Sequence, residues 1–136
     1  MEREKKVLDA SIIVKWFSEE SNSDKAIKLK DKHISGDIEI IVPELIFLEV
    51  LNSLRYKTEK SSELEKINKI LWDLQFIIVY LNKDILENAT KIAIKEELTL
   101  YDSIYISIAK IMGVELITAD EKLSKVEGVR SLERLD

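Results

Sequence analysis

Apolar residues in this chain form two kinds of run, short unbroken ones and longer ones with helical spacing, and the two kinds alternate. Val7-Leu8 reads as a short strand that stops at Asp9. A first helix follows over Ser11 to Phe17, capped by Asp9 or Ser11. From Ser21 to Ser35, Ala26, Ile27, Leu29 and Ile34 stand among lysines and aspartates, which predicts a solvent-facing helix closed by Gly36. Ile38 to Val42 is a buried strand, and Pro43 then suits the first turn of a helix running from Glu44 to Tyr56.

Ser62-Glu63-Leu64-Glu65 carries a capping-box pattern. Leu64, Ile67, Ile70, Leu71 and Leu74 extend it at helical spacing as far as Gln75. Phe76 to Leu81 is strand-like, and helices are expected over Asp84 to Leu98 and Tyr101 to Met112, the second so apolar that it must be largely buried. Gly113 ends it; Glu115 to Thr118 is a strand, Asp120 to Ser124 a short helix and Gly128 to Leu132 a last strand. Strands alternating with helices predict a parallel sheet covered on both faces, an α/β sandwich. No repeat, linker or low-complexity stretch interrupts the pattern, so residues 1–136 are expected to form a single domain.

Composition narrows the function classes. At 46% hydrophobic the chain can bury a core, and with no cysteine it is neither a disulfide scaffold nor a thiolate zinc site. Twenty-six acidic against 21 basic side chains give a net charge of -5, unlike a polybasic nucleic-acid or membrane binder. No apolar run approaches the ~20 residues that span a bilayer, and Met1 to Lys6 lacks a signal-peptide core, so a soluble cytoplasmic protein is expected. Heavy use of Ile, Lys and Glu with a single glutamine fits a thermophile, although an AT-rich genome produces the same bias. Three glycines leave no phosphate-cradling loop, which disfavours a nucleotide-binding or receiver-type domain.

Four acids are the candidate chemistry. Asp9 closes the first strand and Asp120 follows Leu116-Ile117-Thr118-Ala119, where open α/β sheets gather their sites. Glu49 interrupts Leu45 to Leu51 and Asp102 interrupts Leu100 to Ile106, and a carboxylate among core residues must be paired, protonated or bound to metal. Each has a plainer role open to it. Asp9 and Asp120 could cap the helices after them, Asp102 could favour its helix dipole, and Glu49 with Asn52 could line a solvent edge. Two like charges ~4 Å apart cost about 4 kcal/mol at an effective dielectric near 20. If the four converge, they therefore need a cation or protons. An all-oxygen donor set points to Mg²⁺ or Mn²⁺, ions that serve phosphodiester cleavage.

Taken in order, Val7-Leu8-Asp9-Ala10-Ser11, Leu48-Glu49-Val50-Leu51-Asn52, Leu100-Tyr101-Asp102-Ser103-Ile104-Tyr105 and Leu116 to Leu123 resemble the motifs of PIN-domain proteins, above all the small VapC-type toxins of prokaryotic toxin–antitoxin pairs. The resemblance covers the whole chain. It implies a five-stranded parallel sheet in a three-layer sandwich and Mg²⁺- or Mn²⁺-dependent endoribonuclease activity by metal-activated water. It also implies a homodimer and an inhibiting antitoxin. Carried over by position, the metal-binding and catalytic acids are Asp9, Glu49, Asp102 and Asp120, supported by Ser11, Thr118 and Asn52. Some relatives carry a further acid where Ser124 stands here, which leaves one or two metal ions open.

The bulk charge opposes RNA, so a local basic rim is needed, for which Lys15, Arg55 and Lys57 are candidates beside their role as ordinary solvated side chains. His33 in its polar helix is expected at the surface, and Trp16, Trp72 and Tyr80 as core or interface anchors. Two other functions share the same fold: a catalytically silent PIN-fold binding or assembly module, and a PIN nuclease of RNA processing.

Overall fold

Unbroken apolar strands can be buried only if both sheet faces are covered, because successive side chains point to opposite faces. The computed structural model, which describes residues 3–136, meets that demand. Met1 and Glu2, the start of the segment expected to lack a leader, lie outside the described residues. In β1 (Glu4–Leu8) both Val7 and Leu8 are fully buried, as are Ile40, Ile41 and Val42 of β2 (Ile38–Pro43). Leu116, Ile117 and Thr118 of β4 (Glu115–Thr118) are buried in the same way. With β3 (Ile77–Val79) and β5 (Val129–Ser131) they form one parallel sheet in the order β3-β2-β1-β4-β5.

That order decides where a site can lie. The chain moves outward from β1 to β3, crosses back over β1 and continues through β4 to β5. Right-handed crossovers then put α1 (Ala10–Val14), α2 (Ser23–Ser35), α3 (Leu45–Arg55) and α4 (Ser61–Asp73) on one face. They put α5 (Lys83–Glu96), α6 (Leu100–Met112) and α7 (Glu121–Ser124) on the other. The connections leave the carboxyl ends of β1 and β4 in opposite directions and open a crevice between them. β1 ends at Leu8 and β4 at Thr118, so Asp9, Ala119 and Asp120 are the residues standing at that crevice. Val7 pairs with Leu116 and Leu8 with Ile117, which holds the two ends level.

The fold class expected from the pattern is the one observed, and α6 is the buried central helix, with Ser103 to Ala109 all inaccessible. Several local expectations need correction. β1 starts at Glu4, because Lys6 in mid-strand is neutralised by Glu4 at 2.7 Å and Glu115 at 3.0 Å. The first helix ends at Val14 and the second begins only at Ser23, after Asn22 in the left-handed region. Pro43 does not open a helix; it ends β2, paired with Val79. The Glu44 amide still donates to the Val79 carbonyl at 3.2 Å; the chain then turns into α3 at Leu45, β3 stops at Val79, and Tyr80 and Leu81 leave the sheet. The capping box does not form either: α4 starts at Ser61 after Lys60, and the hydroxyl of Thr58 donates to Glu63.

His33 is not a surface residue. Its Nδ1 accepts from the Ile40 amide at 3.1 Å and its Nε2 lies 2.7 Å from the Leu74 carbonyl, so the ring joins α2 to β2 and to the end of α4. Trp16 is a core anchor, its indole N–H donating to the Ala26 carbonyl at 2.8 Å. Trp72 is half exposed and stacks on Phe47.

Candidate active site

Asp9 follows the last residue of β1 and is 5% exposed. It occupies the N-cap position of α1, yet its carboxylate caps nothing. Oδ1 accepts from the Ser11 hydroxyl at 2.6 Å and Oδ2 from the Thr118 hydroxyl at 2.6 Å. Each hydroxyl is fixed in turn by a backbone donor, Ser11 Oγ by the Ala119 amide at 2.9 Å and Thr118 Oγ1 by the Asp120 amide at 3.0 Å. A hydroxyl has one proton to give, and both give it to Asp9. The result is a closed clasp across the β1 and β4 ends, arranged for a carboxylate that accepts on both oxygens. Burial, first of all, pushes the Asp9 carboxyl up to about 6 against the pull of these two hydroxyls, with Asp102 and Asp120 adding to the rise.

Asp102 and Asp120 act directly on this clasp, and Glu49 reaches it by way of Asp102. Asp102 lies in the first turn of α6, half-buried; burial and then Asp120 raise its carboxyl, opposed by Thr99 and Lys122. Thr99 is the cap of that helix, accepting from the Asp102 amide at 3.1 Å. Asp120 is exposed and does cap α7, Oδ1 accepting from the Leu123 amide at 2.9 Å. Its plainer role is therefore real, and its charge still acts on both Asp9 and Asp102. Glu49, half-buried on α3, is raised by burial and by Asp102, while the Tyr105 hydroxyl that donates to Oε1 works against the rise.

Tyr105 is the residue that sequence reasoning missed. It is 1% exposed, and its phenol is held protonated by burial and by Glu49, Asp9 and Asp102. The available signal was its i+3 spacing from Asp102, which puts both on one face of α6. Asn52, expected to partner Glu49, is exposed, and Glu49 takes Tyr105 instead. Ser11 and Thr118 stand where they were expected, against Asp9. Ser124 turns its hydroxyl onto the Glu121 carbonyl.

Asp9, Asp102 and Asp120 thus act on one another through their charges, and Glu49 is linked to them through Asp102. Among the described residues no three of them form a finished metal cage. Nor, among the described residues, does any lysine or arginine pair with one of the four. A cleft of about 560 Å³ opens beside Ser11 and Asp120, with Lys15 and Lys57 on its wall. Lys15 donates to the Ser21 carbonyl at 2.8 Å and Lys57 pairs with Glu20 at 2.7 Å, so neither is loosely solvated. Arg55 is exposed and stands 5.7 Å from the Tyr56 ring centre, not on this cleft wall.

Comparisons with known proteins identify the family and the fold. The chain is similar to ribonuclease VapC3 of Pyrobaculum aerophilum, 28% identical over 126 residues, or 89% of this chain and 93% of that one. Its fold is similar to that of a toxin–antitoxin complex from Klebsiella pneumoniae, with TM-score 0.71 and 19% identity over 93% of this chain and 96% of that one. It is also similar to VapC20 of Mycobacterium tuberculosis, a sarcin–ricin loop cleaving toxin, with TM-score 0.73 and 12% identity over 91% and 96%. The PIN domain family matches residues 6–129, a span that runs from β1 to the start of β5 and takes in all four acids, and the chain belongs to that family.

Proposed function

We propose that this chain is a divalent-cation-dependent endoribonuclease of the VapC kind, the toxin of a toxin–antitoxin pair. Asp9, Glu49, Asp102 and Asp120 would hold Mg²⁺ or Mn²⁺. The observation that carries the proposal is the state of Asp9. Two hydroxyl protons are committed to it as a carboxylate, while burial and neighbouring acids push it toward the neutral form. A bound cation removes that conflict, and hard oxygen donors suit Mg²⁺ and Mn²⁺. When bound, such an ion activates water and neutralises the charge that builds on a phosphodiester.

The chain's own residues supply orientation. Ser11 and Thr118 fix both oxygens of Asp9, Tyr105 fixes Glu49, and the Leu123 amide fixes Asp120. The cleft of about 560 Å³ opens beside Asp120, and burial of Asp9 keeps bulk water off its carboxylate. The likeness to a ribonuclease over most of both chains supports RNA as substrate. The likeness in fold to a chain solved in a toxin–antitoxin complex supports an antitoxin as partner. Leu48 and Tyr101, next to Glu49 and Asp102 in the chain, are 71% and 63% exposed, apolar surface that such a partner or a second copy would cover. No helix among the described residues is long and apolar enough to cross a membrane.

Cleavage of single-stranded RNA by the purified protein in Mn²⁺, lost in EDTA and in Asp102→Asn, is the expected result. Cleavage retained in Asp102→Asn would remove the site assignment. One observation favours a second reading, a silent PIN-fold binding module: the acids do not form a finished cage. That reading predicts no heat on Mn²⁺ titration and no cleavage. Growth arrest on induction, relieved by Asp102→Asn, separates a toxin from an RNA-processing nuclease.

A further inference from the structure

Glu20 holds two lysines together at the cleft beside Asp120. Lys57 Nζ stands 2.7 Å from Oε2 of Glu20 and donates to Ser18 Oγ at 3.0 Å. Lys15 Nζ stands 3.4 Å from Oε1 of the same carboxylate and donates to the Ser21 carbonyl at 2.8 Å. Lys15 follows α1 and Lys57 follows α3, so the two ammonium groups come from separate elements and share this one anion. Glu20 itself lies on the connection between α1 and α2, and all three side chains line the cleft that continues to Ser11 and Asp120.

Two ammonium groups gripping the two oxygens of one anion is also the arrangement that would receive the two non-bridging oxygens of a phosphodiester. A chain of net charge -5 with four acids at its candidate site needs such cations to draw in a polyanion. Both are already neutralised. The Lys57 pair is partly exposed, with Glu20 at 34% and Lys57 at 46%, and exposed ion pairs are weak enough to exchange for another anion; Lys15, 10% exposed, is held in place by the Ser21 carbonyl and stays facing the cleft.

We infer that Lys15 and Lys57 form the phosphate-binding subsite for an RNA strand entering the acidic site, and that Glu20 fills it in the free protein until the incoming phosphodiester displaces it. The inference rests on the ribonuclease reading for the identity of the polyanion. It makes Glu20 a selector: a strand too weakly held elsewhere along the cleft does not dislodge it.

The test is binding of a fluorescent single-stranded RNA to the intact protein in EDTA, at several salt concentrations, with Mn²⁺-dependent cleavage followed in parallel. Glu20→Gln keeps the side-chain shape and removes the competing charge. It is expected to tighten binding roughly two- to fivefold and to steepen the logarithmic salt slope by about 0.7 for each additional phosphate neutralised. Lys57→Met is expected to weaken wild-type binding about threefold and flatten the slope by about 0.7, and to cancel the gain of Glu20→Gln in the double variant. Thermal melts show whether each variant is folded; if Glu20→Gln is not, Lys57→Met decides alone. Wild-type cleavage together with unchanged binding in the folded variants overturns the subsite and leaves the ribonuclease reading intact. A wild-type protein that neither binds nor cleaves RNA overturns both.

Discussion

Tyr105 on α6 donates its phenolic proton to Glu49 on α3, tying the helix acid to the element that carries Asp102. Burial alone would drive Glu49 toward its neutral form, and the phenol is what opposes it. Tyr105→Phe leaves the ring and removes only the donor. Metal-supporting hydrogen bonds of this kind are worth about 10- to 100-fold in affinity or activity. Mn²⁺ affinity by calorimetry, and cleavage with it, should fall by that range, with stability lower by about 1–2 kcal/mol. A melting shift with unchanged Mn²⁺ affinity would mean that Tyr105 is only core packing.

The metal-free protein should lose stability as pH rises from about 4 to about 6. Asp9 is pushed up to about 6 from its ordinary 3.8, and Glu49 and Asp102 are raised as well. The folded chain therefore binds these protons more tightly than the unfolded chain, and stability present at low pH drains away as pH climbs through the folded values. Asp9 alone contributes at most about 3 kcal/mol to that loss, since each tenfold difference in proton affinity between folded and unfolded chain is worth about 1.4 kcal/mol. Asp9→Asn should flatten the slope and raise the denaturation midpoint in EDTA at a pH above that window. The gain stays below the upper bound, because an amide accepts from only one of the Ser11 and Thr118 hydroxyls. With Mn²⁺ in excess the order reverses, since only the wild type gains binding energy. Denaturant titrations across the window, with and without Mn²⁺, measure each arm.

Asp120 serves two ends, and two substitutions separate them. Asn caps a helix as well as Asp does, whereas Ala costs about 1 kcal/mol. Asp120→Asn should melt with the wild type and still lose about tenfold or more in Mn²⁺-dependent cleavage. Asp120→Ala should show the same loss and a lower melting point. Full activity in a stable Asp120→Asn would reduce this residue to the cap of α7.

What the chain shows before it folds depends on how local the cause is. The strands, the buried α6 and the placement of Asp9 and Asp120 were legible because apolar runs and strand ends are local signals, and parallel order puts strand ends together. Glu49 and Asp102 stood out because a carboxylate inside an apolar run demands a reason. Tyr105 was hidden by the same logic, since a phenol in an apolar helix is indistinguishable from core until its hydroxyl finds Glu49 from a helix 56 residues earlier. Glu20 gave no signal at all: an acid in a polar connection has no period, and its two lysines are close only in space. Pro43 misled because it fits a helix start and a strand end equally well, and only its pairing with Val79 decides.

His33 belongs to the frame rather than the chemistry. Its Nδ1 accepts from the Ile40 amide, which assigns the proton to Nε2 and makes that atom the donor to the Leu74 carbonyl. The ring also packs against Phe76, with centroids 5.4 Å apart. It stands in the last turn of α2, beside the start of β2 and so at the end of the sheet away from Asp9. His33→Ala removes both bonds and leaves a buried amide without an acceptor, a loss of about 2–3 kcal/mol. Denaturant midpoints should fall accordingly, while Mn²⁺-dependent cleavage per folded molecule stays at the wild-type value. A drop in cleavage with the folded fraction unchanged would make the single histidine of this chain a catalytic candidate after all.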